Sequence, residues 1–182
     1  MGSVSHDCKD LILTHSLETA YASNNTYKSL RVISENYNLA YTVWCSNEHE
    51  LYEMISDPGQ LHNLYEAAAA DDDNDSSYNS VSKVYDWDKE KLLARLDALL
   101  LTLKACKGAT CRRPWAALHP QGDVETLEQA MSPAFDAFYA AQDKVSFSQC
   151  ALGYIAAYEG PLASQPFVAP GAPRLARWED WT

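Results

Sequence analysis

Leu39-Ala40-Tyr41-Thr42-Val43-Trp44-Cys45 decides the fold, because Leu39, Tyr41, Val43 and Cys45 alternate with Ala40, Thr42 and Trp44. Successive side chains of an extended chain point to opposite faces, so this period of two marks a strand with one strongly apolar side. Upstream, Lys28 to Ser34 sets Leu30 and Val32 on one side and Arg31 and Ile33 on the other, which makes it a matching partner. Between them Glu35-Asn36-Tyr37-Asn38 carries asparagines, which tolerate left-handed turn geometry, and an antiparallel hairpin is predicted. Glu50 to Ile55 supplies a third strand, and Tyr41 and Trp44 are both assigned to the core.

Downstream, Asp57-Pro58-Gly59-Gln60 reads as a helix start. Asp57 is placed to accept from the first free amides, Pro58 suits the first helical position, and Gln60 completes a capping box. The expected helix runs from Pro58 towards Ala70 and buries Leu61, Leu64, Tyr65 and Ala68. A longer helix is predicted from Lys89 to Cys106, with Asp88 as N-cap and Leu92, Leu96, Leu99, Leu103 and Cys106 on one stripe, widened by Leu93 and Leu100. Gly108 is expected to close it in a left-handed cap. Such a broad stripe suits a helix laid across the sheet better than a narrow seam between two copies. Ser132-Pro133 opens a further helix with Phe135, Phe138 and Tyr139 turned inward. The fold class is α+β: a small antiparallel sheet of three to four strands packed against a long helix.

Glu50-Leu51-Tyr52-Glu53-Met54-Ile55-Ser56-Asp57-Pro58, followed by Asn63-Leu64, resembles the C-terminal subdomain of type I sulfatases. Tyr41-Thr42-Val43-Trp44-Cys45-Ser46-Asn47-Glu48-His49, Cys106-Lys107-Gly108, Pro114-Trp115, Leu118-His119-Pro120, Phe135-Asp136-Ala137-Phe138-Tyr139 and Lys144-Val145-Ser146-Phe147-Ser148 are similar, in the same order, to strings in the arylsulfatases of filamentous fungi. The resemblance implies a division into an unmatched segment 1–20, a subdomain over 21–159 and a tail over 160–182. Pro161, Pro166, Pro170 and Pro173 break that tail too often for regular structure, and it is expected to be loose. The resemblance also implies a catalytic sulfatase domain as partner, calcium in the intact protein, and a secretory or extracellular location.

Sulfate-ester hydrolysis in that family needs a Cys or Ser in the setting Cys-x-Pro-Ser-Arg, oxidised to formylglycine, and a divalent cation held by Asp and Asn oxygens. Cys8, Cys45, Cys106, Cys111 and Cys150 all lack a Pro two residues on. Ser56-Asp57-Pro58 and Ser164-Gln165-Pro166 have that Pro, but Gly59-Gln60 and Phe167-Val168 follow in place of Ser-Arg. No catalytic residue and no metal ligand is therefore assigned, and no cofactor is expected in this chain itself. The run Asp71-Asp72-Asp73-Asn74-Asp75 departs from a calcium loop, with Ser76 where Gly is needed and Ser82 where the bidentate Glu belongs. Residues 71–82 read as a solvated, disordered acidic loop.

A length of 182 residues with 47% hydrophobic content bounds the chain to one domain with a core. Its formal net charge of -11 argues against nucleic acid or an anionic membrane as partner. Met1-Gly2-Ser3-Val4-Ser5-His6 shows no hydrophobic signal core, so no export signal is expected within this chain. Cys106 and Cys111 enclose a short loop and are close enough for a disulfide, and Cys45 and Cys150 form a second candidate pair. The alternative is five reduced, packed thiols, since connectivity is not readable from spacing. Asn24 (Asn24-Asn25-Thr26) and Asn74 (Asn74-Asp75-Ser76) are glycosylation sequons that matter on a secretory route. His49, His62 and His119 have no metal-pair spacing and read as structural. Arg112 and Arg113 beside Trp115 read as a solvated basic loop, with the rim of an anion pocket as alternative.

Two readings of function lead. One is a truncated arylsulfatase-like protein that keeps the supporting subdomain, lacks the reactive centre and is inactive alone. The other is a non-catalytic binding or structural module derived from a sulfatase. An unrelated small enzyme ranks below both, because no carboxylate or His pair has acid–base spacing. An isolated subdomain would expose an apolar face, so self-association is expected.

Overall fold

Alternation becomes pleat in an antiparallel sheet of β1 (Leu11–His15), β2 (Tyr27–Ile33), β3 (Asn38–Trp44) and β4 (His49–Glu53), in that order. The computed structural model describes residues 11–15, 26–65 and 83–169. Register pairs Leu30 with Tyr41 and Val32 with Leu39, and Leu51 stands opposite Tyr41, so the apolar members of three strands meet on one face. Leu30, Val32, Leu39, Tyr41, Val43 and Leu51 are all buried. Trp44 is not in this core: it lies on the other face, half-buried, with its ring 4.8 Å from Tyr27. Parity explains this, since Trp44 is odd to the Tyr41 and Val43 set. The β2–β3 turn needs no left-handed asparagine. Ser34 N–H donates to Tyr37 O (2.8 Å), and the positive φ in this region falls at Asn47 (65°), in the β3–β4 turn.

A small hairpin of β5 (Lys83–Val84) and β6 (Trp87–Asp88) leads into α1 (Lys89–Lys104). Asp88 caps α1 as expected, accepting from Lys91 N–H at 3.0 Å. Burial extends well beyond one stripe, to Ala94, Arg95, Asp97, Ala98, Leu101 and Thr102. The reason is that α1 packs against β2 and also against short helices of the second half. Those are α2 (Ala109–Arg112), α3 (Pro114–Leu118), α4 (Leu127–Ala130) and, after a 3-10 turn at Pro133–Phe135, α5 (Asp136–Ala140). Gly108 does not close α1. The helix ends at Ala105, and Gly108, with φ 58° and ψ -115°, instead opens α2.

No helix forms from Pro58 within the described residues; the chain runs through turns to residue 65, and Ala68 lies outside them. Asp57 accepts from Leu61 N–H (3.0 Å) and His62 N–H (2.9 Å), four and five residues on, whereas an N-cap serves amides two or three on. Gln60 has φ 55°, off any helical path, and Leu61 is exposed. The segment instead seals the outer edge of β4. Leu51 N–H donates to Asn63 Oδ1 (3.0 Å), Asn63 Nδ2 donates to His49 O (3.0 Å), and Leu64 N–H donates to Leu51 O (2.8 Å). One asparagine amide thus stands in for a peptide group of a neighbouring strand, and the edge is closed to other chains. Asn63→Ala strips partners from part-buried backbone groups and is expected to cost about 2 kcal/mol. Urea unfolding checks this, with Asn63→Asp, which keeps the acceptor alone, falling between.

Residues 160–169 have no regular structure, yet they are held down as far as Phe167, contrary to the loose tail expected; 170–182, with Pro170 and Pro173, lie outside the described residues. Phe167 N–H donates to Leu118 O (2.7 Å), Ser164 Oγ is 2.6 Å from Thr102 Oγ1, and Gln142 and Gln165 exchange two hydrogen bonds (3.1 and 2.9 Å). The Phe167 ring packs on His119, Phe135 and Phe138. Proline disfavours helix interiors and central strands but not docking by side chains.

Candidate functional site

Among the described residues a connected group of titratable side chains joins the sheet to α1. Tyr41, inward on β3, donates its hydroxyl to Asp97 Oδ1 of α1 (3.2 Å) and shares a second hydrogen bond with His49 Nδ1 (2.8 Å). The His49 ring, at the start of β4, stacks on Tyr65 with centroids 4.6 Å apart. Val145 N–H is shared between the two Asp97 oxygens (3.4 and 3.3 Å), and Lys144 Nζ lies 3.9 Å from Asp97 Oδ2. Asn47 fixes the same loop, accepting from Phe147 N–H (2.8 Å) and donating to Phe147 O (2.9 Å).

Burial pushes the Asp97 carboxyl up to about 6, against the opposing pull of Lys144, Tyr41 and Val145. Burial, reinforced by Asp97, drives the Tyr41 hydroxyl far above the ordinary tyrosine range, so it stays a donor. Burial also holds His49 below its ordinary value, and Lys144 adds to this. Each polar group is thus directed at another group of the same protein. What the arrangement does is tie β3, β4, α1 and the 144–147 loop together; it presents no activated nucleophile.

This junction gives a pH dependence. Asp97 is raised in the folded state, so the fold binds the proton more tightly than the unfolded chain and stability falls as pH rises through about 6. The full span is on the order of 3 kcal/mol. His49 and His119 are lowered, so their contribution is lost in the opposite sense, as pH falls below the ordinary histidine value. Asp97→Asn removes the first trend alone. Thermal melts at pH 5.0 and 7.5 are expected to show wild type gaining on the variant at the acid value; an equal gap at both would refute titration of Asp97 in this window.

The other residues singled out from sequence are not brought to this junction. His119 is fully buried, its Nε2 2.8 Å from Tyr139 Oη, amid the rings of Phe135, Phe138 and Phe167. Its Nδ1 lies 3.4 Å from Asp123 Oδ1, at ion-pair range but without hydrogen-bond alignment. Burial keeps this imidazole below its ordinary pKa despite Asp123. His62 is exposed, as are Arg112 and Arg113, while Trp115 is buried. Cys106 and Cys111 form a disulfide just past α1, and Cys45 at the end of β3 forms another with Cys150. Asn24, Asn74 and the acidic run 71–82 lie outside the described residues. Among the described residues no three His, Cys, Asp or Glu side chains converge to hold a metal ion. No helix among them is long and apolar enough to cross a membrane. Sequence reading takes Asn63 only as part of the sulfatase-like string and gives no role to Arg95 or Asp97; two charged residues inside the leucine-rich span of α1 were the available signal.

Comparison with known proteins gives the class of this unit: the chain is homologous to sulfatases, over a share of their length consistent with a C-terminal subdomain. It is 47% identical to the sulfatase ppz1 of Metarhizium majus over 148 residues, 81% of this chain and 31% of that protein. It is 33% identical to the arylsulfatase of Chlamydomonas reinhardtii over 129 residues, 70% of this chain and 17% of the relative. The N-acetylglucosamine-6-sulfatase of Bos taurus is 33% identical over 99 residues, 53% of this chain and 14% of the relative. The chain therefore spans about a third of the fungal relative and less than a fifth of the algal one. No family model matches the chain. No solved structure matches it either.

Proposed function

We propose that these residues act as the C-terminal supporting subdomain of a sulfuric ester hydrolase of the arylsulfatase type, with the formylglycine and calcium-binding residues contributed from outside these 182 residues. The observation that carries the reading is 47% identity to a fungal sulfatase confined to 31% of that protein's length. The internal geometry supports it, since the polar residues of the core are spent on holding the sheet, α1 and the 144–147 loop together. In this role the unit extends and buttresses a catalytic domain, and the chain by itself does not hydrolyse sulfate esters.

The test is an assay of the purified 182-residue chain with an aryl sulfate in the presence of calcium. The expected rate is that of the uncatalysed background. Turnover that scales with protein concentration and survives repurification would overthrow the proposal.

A further inference from the structure

Ala151-Leu152-Gly153-Tyr154-Ile155-Ala156-Ala157 contains no charged side chain, in a chain that is 21% charged. It is also largely exposed: Leu152 is 74%, Tyr154 59% and Ile155 40% accessible. Large apolar side chains side by side in water mark a surface that another body covers.

The loop that carries them is fixed at both ends. Cys150 is joined to Cys45 at the end of β3, and Ser148 N–H donates to Tyr158 O (2.9 Å) across the base. On the far side Glu159 is buried and paired with Lys28 (3.3 Å), while Lys104 Nζ donates to Glu159 O (2.5 Å). Gly160, with φ +61°, presses on Ser146, where a Cβ would stand 2.6 Å from the carbonyl oxygen. The Lys28 ammonium sits 4.8 Å from the centre of the Tyr154 ring and helps to hold it outward. A disulfide, an ion pair and a closely fitted glycine thus hold three apolar side chains outward. A surface held ready in this way loses less freedom on association.

We propose that this tongue, Ala151 to Ala157, is the docking surface that seats the subdomain on the rest of the sulfatase polypeptide, against an apolar, uncharged face of it. The proposal rests on the reading of the chain as a sulfatase subdomain. The fungal relative has more than two-thirds of its length beyond the matched portion, so a partner body of the required kind exists in the relatives. A second copy brings another net charge of -11 to the surface, so the self-association expected of the isolated subdomain is its weaker use and the rest of the polypeptide its occupant in the intact protein. The same charge repels an anionic membrane.

The experiment exchanges the matched portion of the intact Metarhizium majus sulfatase for all 182 residues of this chain, with and without Leu152→Asp, Tyr154→Asp and Ile155→Asp together. Aryl sulfate turnover and resistance to thermal inactivation are measured against the unaltered enzyme. An active hybrid whose triple variant loses at least tenfold in activity or half-life supports the proposal. A triple variant within twofold of the active hybrid overturns the docking role and leaves the subdomain reading standing. An inactive unsubstituted hybrid, beside an active parent, overturns that reading and the proposal with it. In the full 182-residue chain alone the triple variant is expected to melt as wild type does. A clear fall in its melting temperature would place the tongue in the chain's own core and overturn the proposal.

Discussion

Replacing Cys45 and Cys150 together by alanine is expected to lower stability by about 4 to 5 kcal/mol. The bridge spans a sequence separation of 105 residues, so breaking it releases a very large loop in the unfolded chain. In the loop-entropy account, closure of about 100 residues is worth about 4.7 kcal/mol. Cys106–Cys111 spans only 5, and the same relation gives it about 2 kcal/mol. The two pairs therefore make an internal comparison within one protein. Guanidinium unfolding of each double alanine variant measures it, and a larger loss from the short pair would refute the loop-length account. The long bridge also anchors the exposed tongue at Cys150, so its removal is expected to raise proteolytic cleavage between residues 151 and 157 well before global unfolding.

The parts of this fold written in local periodicity were legible. β2, β3 and β4 follow from the alternation around Leu30, Tyr41 and Leu51, and the start of α1 follows from Asp88, because a cap and a period of two are properties of a few adjacent residues. The turn at Asp57 was misread because the same residues serve two masters. Asp followed by Pro, Gly and Gln suits a capping box, yet it also suits a loop in which Asp57 gathers distant amides. What decided between them was the open edge of β4, a tertiary fact that Asn63 satisfies from twelve residues away. Two-sided burial of α1 was equally hidden, since its second cover consists of helices of four or five residues, too short to show a periodic signal. The missing Cys-x-Pro-Ser-Arg setting, by contrast, could be read directly, being a string rather than a constellation.

Arg95→Ala is expected to cost about 4 kcal/mol, because it removes the charged group on which the second layer is assembled. Arg95 is 1% accessible and donates from each of its three guanidinium nitrogens. Nε donates to Ala130 O at the end of α4 (3.1 Å), Nη1 to Lys91 O one turn back (3.2 Å), and Nη2 to Asp136 Oδ1 at the start of α5 (2.5 Å). Its plane lies over the Tyr139 ring at 4.6 Å. Alanine leaves a cavity between α1, α4 and α5 and strands the Ala130 carbonyl. Arg95→Met fills most of that space, and Asp136 keeps Lys91 at 2.6 Å, so about half the loss is expected to return. Lys91→Ala, at a half-exposed position, is expected to cost less than about 1 kcal/mol. The pH profile separates charge from volume. Lys91 and then Arg95 hold the Asp136 carboxyl below its ordinary value, so this stabilisation is present above the ordinary carboxylate range and lost as pH falls through the lowered one. Urea unfolding of Arg95→Met and wild type at pH 7 and in acid is therefore expected to show the gap closing in acid. A gap that stays constant would mean that Arg95 acts by filling space and by its bonds to the two carbonyls, with Asp136 contributing nothing.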